Sequence, residues 1–376
     1  MTVSLSRRTP YRREHTCGAH AMPLRREGLL SVAMRCALYL GPLSVAIAAA
    51  GPLDLVGAPV LLPVLVLGWS AAQALTSLGV AVAGTAGRAA AARLVAGGFA
   101  IAGVLWSAYV WVAPGAWLGP SRIMAGVVGI GALTSLATVT AALVTRSEVA
   151  VVRWSVPCWV LAVITLAGGS GASAVSAETL LPAAIVVAAV RAYRPVIGRT
   201  VPNRPPLGAP AVRRGAGFLA LGAAQAGAVA VLCVTGPNAA RIPLLVAVPL
   251  VEALVAGHAR TVATRTVGAL LLPVVVAAPL VLGAAQVPAA RTALLATSAG
   301  ILLSGILAAT VVLAARGRLI VAVVSAGAAP AAILALPLLP GPTPPFLPAV
   351  VAVLAAIHLL GLPTVANTVA DHRRTS

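Results

Sequence analysis

The sequence predicts an all-α transmembrane protein of about twelve spans, arranged as two six-helix halves in a parallel pseudo-repeat. Three observations carry that prediction. The 376 residues are 60% hydrophobic and only 9% charged, with a mean hydropathy of +1.03, whereas a soluble domain carries about 25% charged residues. The apolar residues gather into runs near the ~20 residues that a spanning helix needs. The arginines fall between those runs, in every other interval, as the positive-inside pattern requires.

The runs lie at 29–50, 58–83, 94–113, 123–145, 154–168, 174–190, 216–235, 242–259, 267–287, 292–315, 319–339 and 346–368. The fifth is the weakest, with Pro157 near its start and Gly168-Gly169-Ser170-Gly171 closing it. The stretch 150–190 reads as one long hairpin or as two short spans, and we take two. The arginines test the count. With the N-terminus inside, 22 of the 26 arginines fall on the cytoplasmic side, and only Arg122, Arg241 and Arg291 fall outside. Arg35 alone lies within a span. A missed span would scramble this alternation from that point on, so both termini are expected in the cytoplasm of a plasma-membrane protein.

Composition also narrows the partners. Every basic residue is an arginine, and the chain is rich in Ala, Gly, Val and Pro, which resembles the codon bias of a high-GC genome such as an actinobacterial one. A net charge of +19 would suggest nucleic acid in a soluble protein. Here the topology explains the charge, so the expected partner is the bilayer and not nucleic acid. Cys17, Cys36, Cys158 and Cys233 show no CxxC spacing and read as small hydrophobes. His15, Cys17 and His20 could ligate a metal, but no second cluster accompanies them. No cofactor or metal is expected.

The chain divides into a basic tail (1–28), a first six-span half (29–190), a linker (191–215), a second six-span half (216–368) and a short tail (369–376). The linker holds five prolines and six arginines, a composition that blocks helix and favours a semi-extended cytoplasmic segment. Met22 would itself serve as a start, so residues 1–21 read as an extension. The first span is too long for a signal-peptide core and reads as an uncleaved anchor. The halves carry a matching signature. The first span of each ends in Gly-Pro (Gly51-Pro52 and Gly236-Pro237), followed by a short loop, a proline and a Leu/Val run. With a gap in the loop, Gln73-Ala74-Leu75 falls on Glu252-Ala253-Leu254. Six spans per half is an even number, so the halves would be related by an axis along the membrane normal.

Polar residues inside the spans are the candidate functional residues. Glu252 is the only acidic residue well inside an apolar run. A carboxylate there costs at least about 2.5–3.5 kcal/mol unless a proton, a cation, a cavity or a donor supports it. Two roles stay open: a transport or coupling site, and a protonated link between helices. Gln73 becomes a companion candidate through the repeat, which would place it facing Glu252 across the pseudo-axis. Gln225, His258 and Arg35 are weaker ones. Gln225 needs a partner in hydrocarbon, His258 reads as interfacial, and Arg35 can snorkel to the surface. His358 reads as a satisfied core histidine. Trp106, Tyr109, Trp111 and Trp117 read as an interfacial belt. Interior prolines are commoner in the second half, where they would kink helices.

No phosphate-binding loop, HExxH, CxxCH or paired carboxylates occur, so no enzyme is expected. Twelve spans in two halves resemble the major facilitator superfamily and the multidrug/oligosaccharide-lipid/polysaccharide flippase superfamily. The facilitator hallmark is Gly-x-x-x-Asp-Arg-x-Gly-Arg-Arg after the second span. Here that loop reads Gly84-Thr85-Ala86-Gly87-Arg88-Ala89, without the Asp. The resemblance therefore leans to the flippase superfamily. It implies a secondary transporter or flippase-like exporter with a central cavity and an unknown small-molecule or lipid-linked substrate. A facilitator-type transporter is one alternative. A non-transporting scaffold or accessory subunit of an envelope or polymer-synthesis complex is the other.

Overall fold

The computed structural model describes residues 29–167, 172–196, 208–233, 241–260, 263–336 and 346–375. The expectations for residues 1–28, including His15, Cys17 and His20, lie outside the described residues. So do the turn at 168–171, the linker from 197 to 207, and the side chains of Glu178, Cys233 and His258.

The described residues form helices and no strand. In order they are α1 (Leu29–Ala48), α2 (Ala50–Val56), α3 (Ala58–Val112), α4 (Arg122–Thr145), α5 (Glu148–Ala167) and α6 (Ala172–Tyr193), then α7 (Ala209–Cys233), α8 (Arg241–Arg260), α9 (Ala263–Gln286), α10 (Arg291–Ala315), α11 (Leu319–Ala335) and α12 (Phe346–Thr375). Seven are long and apolar enough to cross a bilayer, and α1 with α2, bent by 69°, makes an eighth. One of the seven, α3, crosses twice. Its 55 residues break at Gly87 (φ 85°, ψ 169°), a backbone region open essentially to glycine alone. The two arms then fold back on each other: Leu75 fills the notch at Gly98, and the Tyr109 hydroxyl donates to the Pro59 carbonyl at 2.7 Å. α6, α8 and α11 carry shorter apolar windows, and with α1–α2 as one segment and α3 as two arms the described helices make twelve segments. The interval 84–93, expected between the second and third runs, is helical on both sides of the break. In the structure the helix runs on to Gly87, because the alanines on either side keep it helical and one glycine suffices for the reversal.

The halves share one packing plan. In the first, α3 packs on α4, α1 on α5, and α6 on both α4 and α5. In the second, α8 and α9 pack on α10, α7 on α11, and α12 on both α10 and α11. Counting α3 as two spans, each of these contacts in the first half has a counterpart six spans later. The pillars are α4 and α10, and small residues let their neighbours approach closely. Gly129 of α4 takes the Trp106 ring, and Gly300 of α10 lies directly against the Pro243 backbone. Hydrocarbon offers no partner to a hydroxyl, so Ser135, Thr138, Thr140 and Thr145 of α4 bond to carbonyls four residues back in their own helix.

Two expectations change. Trp106 is not part of an interfacial belt. It is 1% exposed, fills the Gly129 notch, donates to the Gly126 carbonyl at 3.3 Å and stacks on Tyr109. Trp111, 80% exposed, and the exposed Trp117 do present rings to the surroundings. The prolines also sort differently. Pro59, Pro243 and Pro348 sit in the first turns of α3, α8 and α12, where no intrahelical N–H is lost. Pro42, Pro63, Pro157, Pro182, Pro249, Pro273, Pro279, Pro330 and Pro363 lie inside helices. Arg122, one of the three exceptions to the arginine pattern, has a structural task. Its guanidinium donates to the Val110, Trp111 and Ala113 carbonyls at 3.1, 2.7 and 3.1 Å, capping the end of α3.

Candidate functional site

A cavity of about 2780 Å³ lies between the halves. Pockets for drug-sized ligands span about 300–1,000 Å³. Its walls come from α1, α3, α4 and α6 on one side and from α7, α8 and α10 on the other.

The two walls differ. The first half contributes Tyr39, Gln73, Thr76, Ser77, Ser135 and Thr140 among apolar residues. They reach the cavity because they recur at helical spacing: Gln73, Thr76 and Ser77 share one face of α3, and Arg35 and Tyr39 are one turn apart on α1. The second half contributes a mostly apolar wall, including Phe218, Leu221, Val248, Val251 and Leu307, interrupted by Gln225 and Glu252. At the end where the arginine-rich turns gather, Arg213, Arg214 and Arg316 line the mouth. Leu319 seats in the Gly217 notch, which brings the start of α7 against the α10–α11 turn.

Gln225 joins four side chains and backbone groups of three helices. It is 1% exposed. Its Oε1 accepts from Trp69 Nε1 and from Gln73 Nε2, both at 3.2 Å. Its Nε2 donates to Thr310 Oγ1 at 3.0 Å, and that hydroxyl donates to the Leu307 carbonyl at 2.8 Å. Gln73, expected to face Glu252, thus bonds to Gln225, and both amides border the cavity.

Glu252 is half-buried on the cavity wall. It acts electrostatically on Cys36 and Tyr39 of α1. Arg35, Tyr39, Glu148 and Glu252, from α1, α5 and α8, all line the cavity. The Cys36 thiol points at the Pro249 carbonyl, at 3.9 Å. Arg35, expected to snorkel away, lines the cavity. The backbone of His258 lies two turns along α8 from Glu252. His358 is away from the cavity, 2% exposed, its Nε2 2.6 Å from the Leu270 carbonyl and its Nδ1 unpartnered.

Sequence reasoning missed Tyr39, Glu148, Thr76, Ser77 and the mouth arginines. The signal for Tyr39, Thr76 and Ser77 was present as polar residues three and four apart in otherwise apolar spans. Glu148 was invisible because its place depends on where α5 begins.

No family model matches this chain, and no curated protein matches it. Solved structures share its fold. A multidrug resistance MATE family transporter of the MOP superfamily, in its outward-facing conformation, superposes with a TM-score of 0.53 at 15% identity, over 96% of this chain and 98% of that one. An inward-facing structure of such a transporter gives 0.51 at 15% identity, over 92% and 95%. A MOP superfamily transporter from Pyrococcus furiosus Vc1, described as having a binding pocket of reverse polarity, gives 0.51 at 16% identity, over 94% and 96%. In architecture, this chain is a multi-pass helical membrane protein with the fold of MOP-superfamily transporters.

Proposed function

We propose that this chain is a secondary transporter or flippase-like exporter that moves an amphipathic small-molecule or lipid-linked cargo through the cavity between its halves. The carrying observation is the cavity itself. It is large, is walled by both halves, and holds amides, hydroxyls and a carboxylate among apolar side chains. A purely structural bundle has no reason to keep such groups around open space, because each costs free energy in hydrocarbon unless it is hydrated or bonded. The fold likeness adds support, since the similar transporters occur in outward- and inward-facing forms. The arginine pattern supports an orientation in the plasma membrane with the mouth arginines and both termini towards the cytoplasm.

In this reading Glu252 is the coupling residue. A carboxylate on a mid-membrane wall can take up a proton from one side and release it to the other as the cavity changes its exposure. Gln73 and Gln225 border the same space as uncharged groups.

Single-cysteine accessibility along α3 and α8 tests the transport reading. Membrane-impermeant thiol reagents are expected to reach Thr76→Cys, Ser77→Cys and Val248→Cys, with rates that differ between the two faces of the membrane. If all three stay unreactive from both faces, the cavity is sealed and the scaffold reading replaces this one. Glu252→Gln tests coupling. It keeps size and hydrogen-bonding capacity but removes titration, so yield should persist while proton-coupled transport falls at least tenfold. Unchanged transport removes Glu252 from the mechanism.

A further inference from the structure

α4 borders the cavity on two opposite faces. Ala132, Leu136, Val139 and Leu143 recur at spacings of four, three and four and line the space between the halves. Ile123, Val127, Ile130 and Thr134 recur at the same spacings about half a turn away, and they border the same cavity. A helix can meet one cavity on opposite sides only where the cavity passes round it. The second stripe is the outward one, with Ile123, Val127 and Ile130 80%, 57% and 43% exposed. The passage runs between α4 and α6. Leu181 and Ile185 of α6, buried in the cluster they share with α1, border it, and so do the exposed Pro182 and Val186. Between the two faces of α4, Gly131 leaves room: an added Cβ there would meet Ile185 Cδ1 alone, at 3.9 Å.

The second half has no matching passage among the described residues. α10 stands where α4 does, yet it borders the cavity only from Leu307 onward, and no described residue of α12, the counterpart of α6, borders it. The side opening is therefore not a by-product of the repeat.

Passage and cavity differ in chemistry. The passage is walled by aliphatic side chains, and its Thr134 and Ser135 hydroxyls are spent within α4 on the Ile130 and Gly131 carbonyls, at 2.7 and 2.9 Å. A water or an ion there would find few partners. Beyond it lies bilayer hydrocarbon. The cavity behind it holds the Gln73 and Gln225 amides and Glu252, with Arg213, Arg214 and Arg316 at the mouth. One continuous space thus has an apolar end open sideways to lipid and a polar part between the halves. That division suits a molecule with a hydrocarbon chain and a polar head. The head can occupy the cavity while the chain stays in hydrocarbon, which avoids drawing its methylenes into water. A water-soluble small molecule needs no such passage.

We infer that the α4–α6 passage is a side door for the hydrocarbon chain of a membrane lipid, and that the cargo is a lipid-linked molecule whose polar head enters the cavity. This rests on the transporter reading and narrows its two cargo classes to one.

Fluorescence quenching on the full chain in phosphatidylglycerol nanodiscs tests it, with the four native cysteines replaced by serine. A bimane probe on Ala46→Cys sits on the cavity wall of α1. Bromine on the lipid chains quenches it only at close range, and iodide reports water. Brominated chains are expected to at least halve the emission. Gly131→Leu and Val186→Phe fill the passage from α4 and from α6. Each should at least halve the quenching by the chains while quenching by iodide stays as it was. Val186 lies on the exposed side, so Val186→Phe decides the matter if Gly131→Leu fails to fold. Quenching by iodide without quenching by the chains overturns the side door and leaves transport intact. No quenching by either overturns the door and the transporter reading together. Quenching by the chains that neither substitution lowers puts the entry elsewhere and overturns the α4–α6 assignment. Quenching by the chains alone makes the space a static lipid pocket and overturns the cargo assignment.

Discussion

Two regions of the molecule, the pillar α4 and the pair Gln225 and His358, satisfy their buried polar groups in two ways. In the first half the pillar α4 is self-sufficient: its hydroxyls bond to carbonyls one turn back in the same helix. At Gln225 and His358 the polar groups reach outward to other helices. Gln225 bonds across to the other half, and His358 bonds from α12 to a carbonyl of α9. Local bonds survive when helices shift against one another; bonds between helices do not. The α4 hydroxyls are therefore indifferent to small helix shifts, whereas Gln225 and His358 specify how elements are placed. The repeat supplies the frame, and a few side chains at equivalent positions supply the difference.

The largest expected effect comes from the pillars. A methyl at Gly300 meets the Pro243 backbone, which cannot rotate away, whereas one at Gly97 meets nothing within 4 Å. Gly300→Ala should cost about 3 kcal/mol by overpacking. It should lower the monodisperse yield and the melting temperature in detergent, with Gly97→Ala indistinguishable from the parent. If Gly300→Ala melts with the parent, the α8–α10 contact is looser than the structure has it.

Much of this frame is legible in the sequence. The twelve apolar runs match the twelve helical crossings closely, because span length is dictated by bilayer thickness and reads directly from composition. The shape of the α3 hairpin was not legible, since a single glycine between alanine runs looks the same whether it turns the chain or not. Trp106 misled because an aromatic near a span end has two good explanations, and only the Gly129 notch on another helix decides between them. The site divides in the same way. Glu252 stood out by being the wrong residue type for its place. Gln225 looked minor, because what makes it matter is Trp69, Gln73 and Thr310, and the nearest of these in sequence is 85 residues away. A residue type betrays its own cost, but nothing local betrays its partners.

A smaller effect separates bonds between helices from bonds within one. His358 holds the Leu270 carbonyl, three residues ahead of Pro273, on the turn of α9 that the proline strains. His358→Phe leaves that carbonyl without the imidazole and should cost about 1 kcal/mol, within the range measured for hydrogen bonds between membrane helices. His358→Gln, which keeps a donor, should restore part of it. Thermal unfolding in one detergent measures both. Equal melting temperatures for parent and His358→Phe would make the imidazole a space-filler.

The smallest stability effect is expected on the self-sufficient wall, and it is the sharpest test of the contrast. Thr140 lies on α4, lines the cavity and spends its hydroxyl hydrogen on the Leu136 carbonyl at 2.8 Å. Thr140→Val has nearly the same shape. The carbonyl keeps its helical environment, and the cavity loses one hydroxyl oxygen, whose lone pairs in the parent can accept from a cargo or a water. Stability should move by no more than about 0.5 kcal/mol, while transport of a cargo that donates to that wall should fall several-fold. Two results separate the readings. A stable Thr140→Val with reduced transport makes the hydroxyl face a cargo surface. A Thr140→Val that loses stability as much as His358→Phe shows that α4 leans on its hydroxyls as α12 leans on its histidine, and the difference between the two regions disappears.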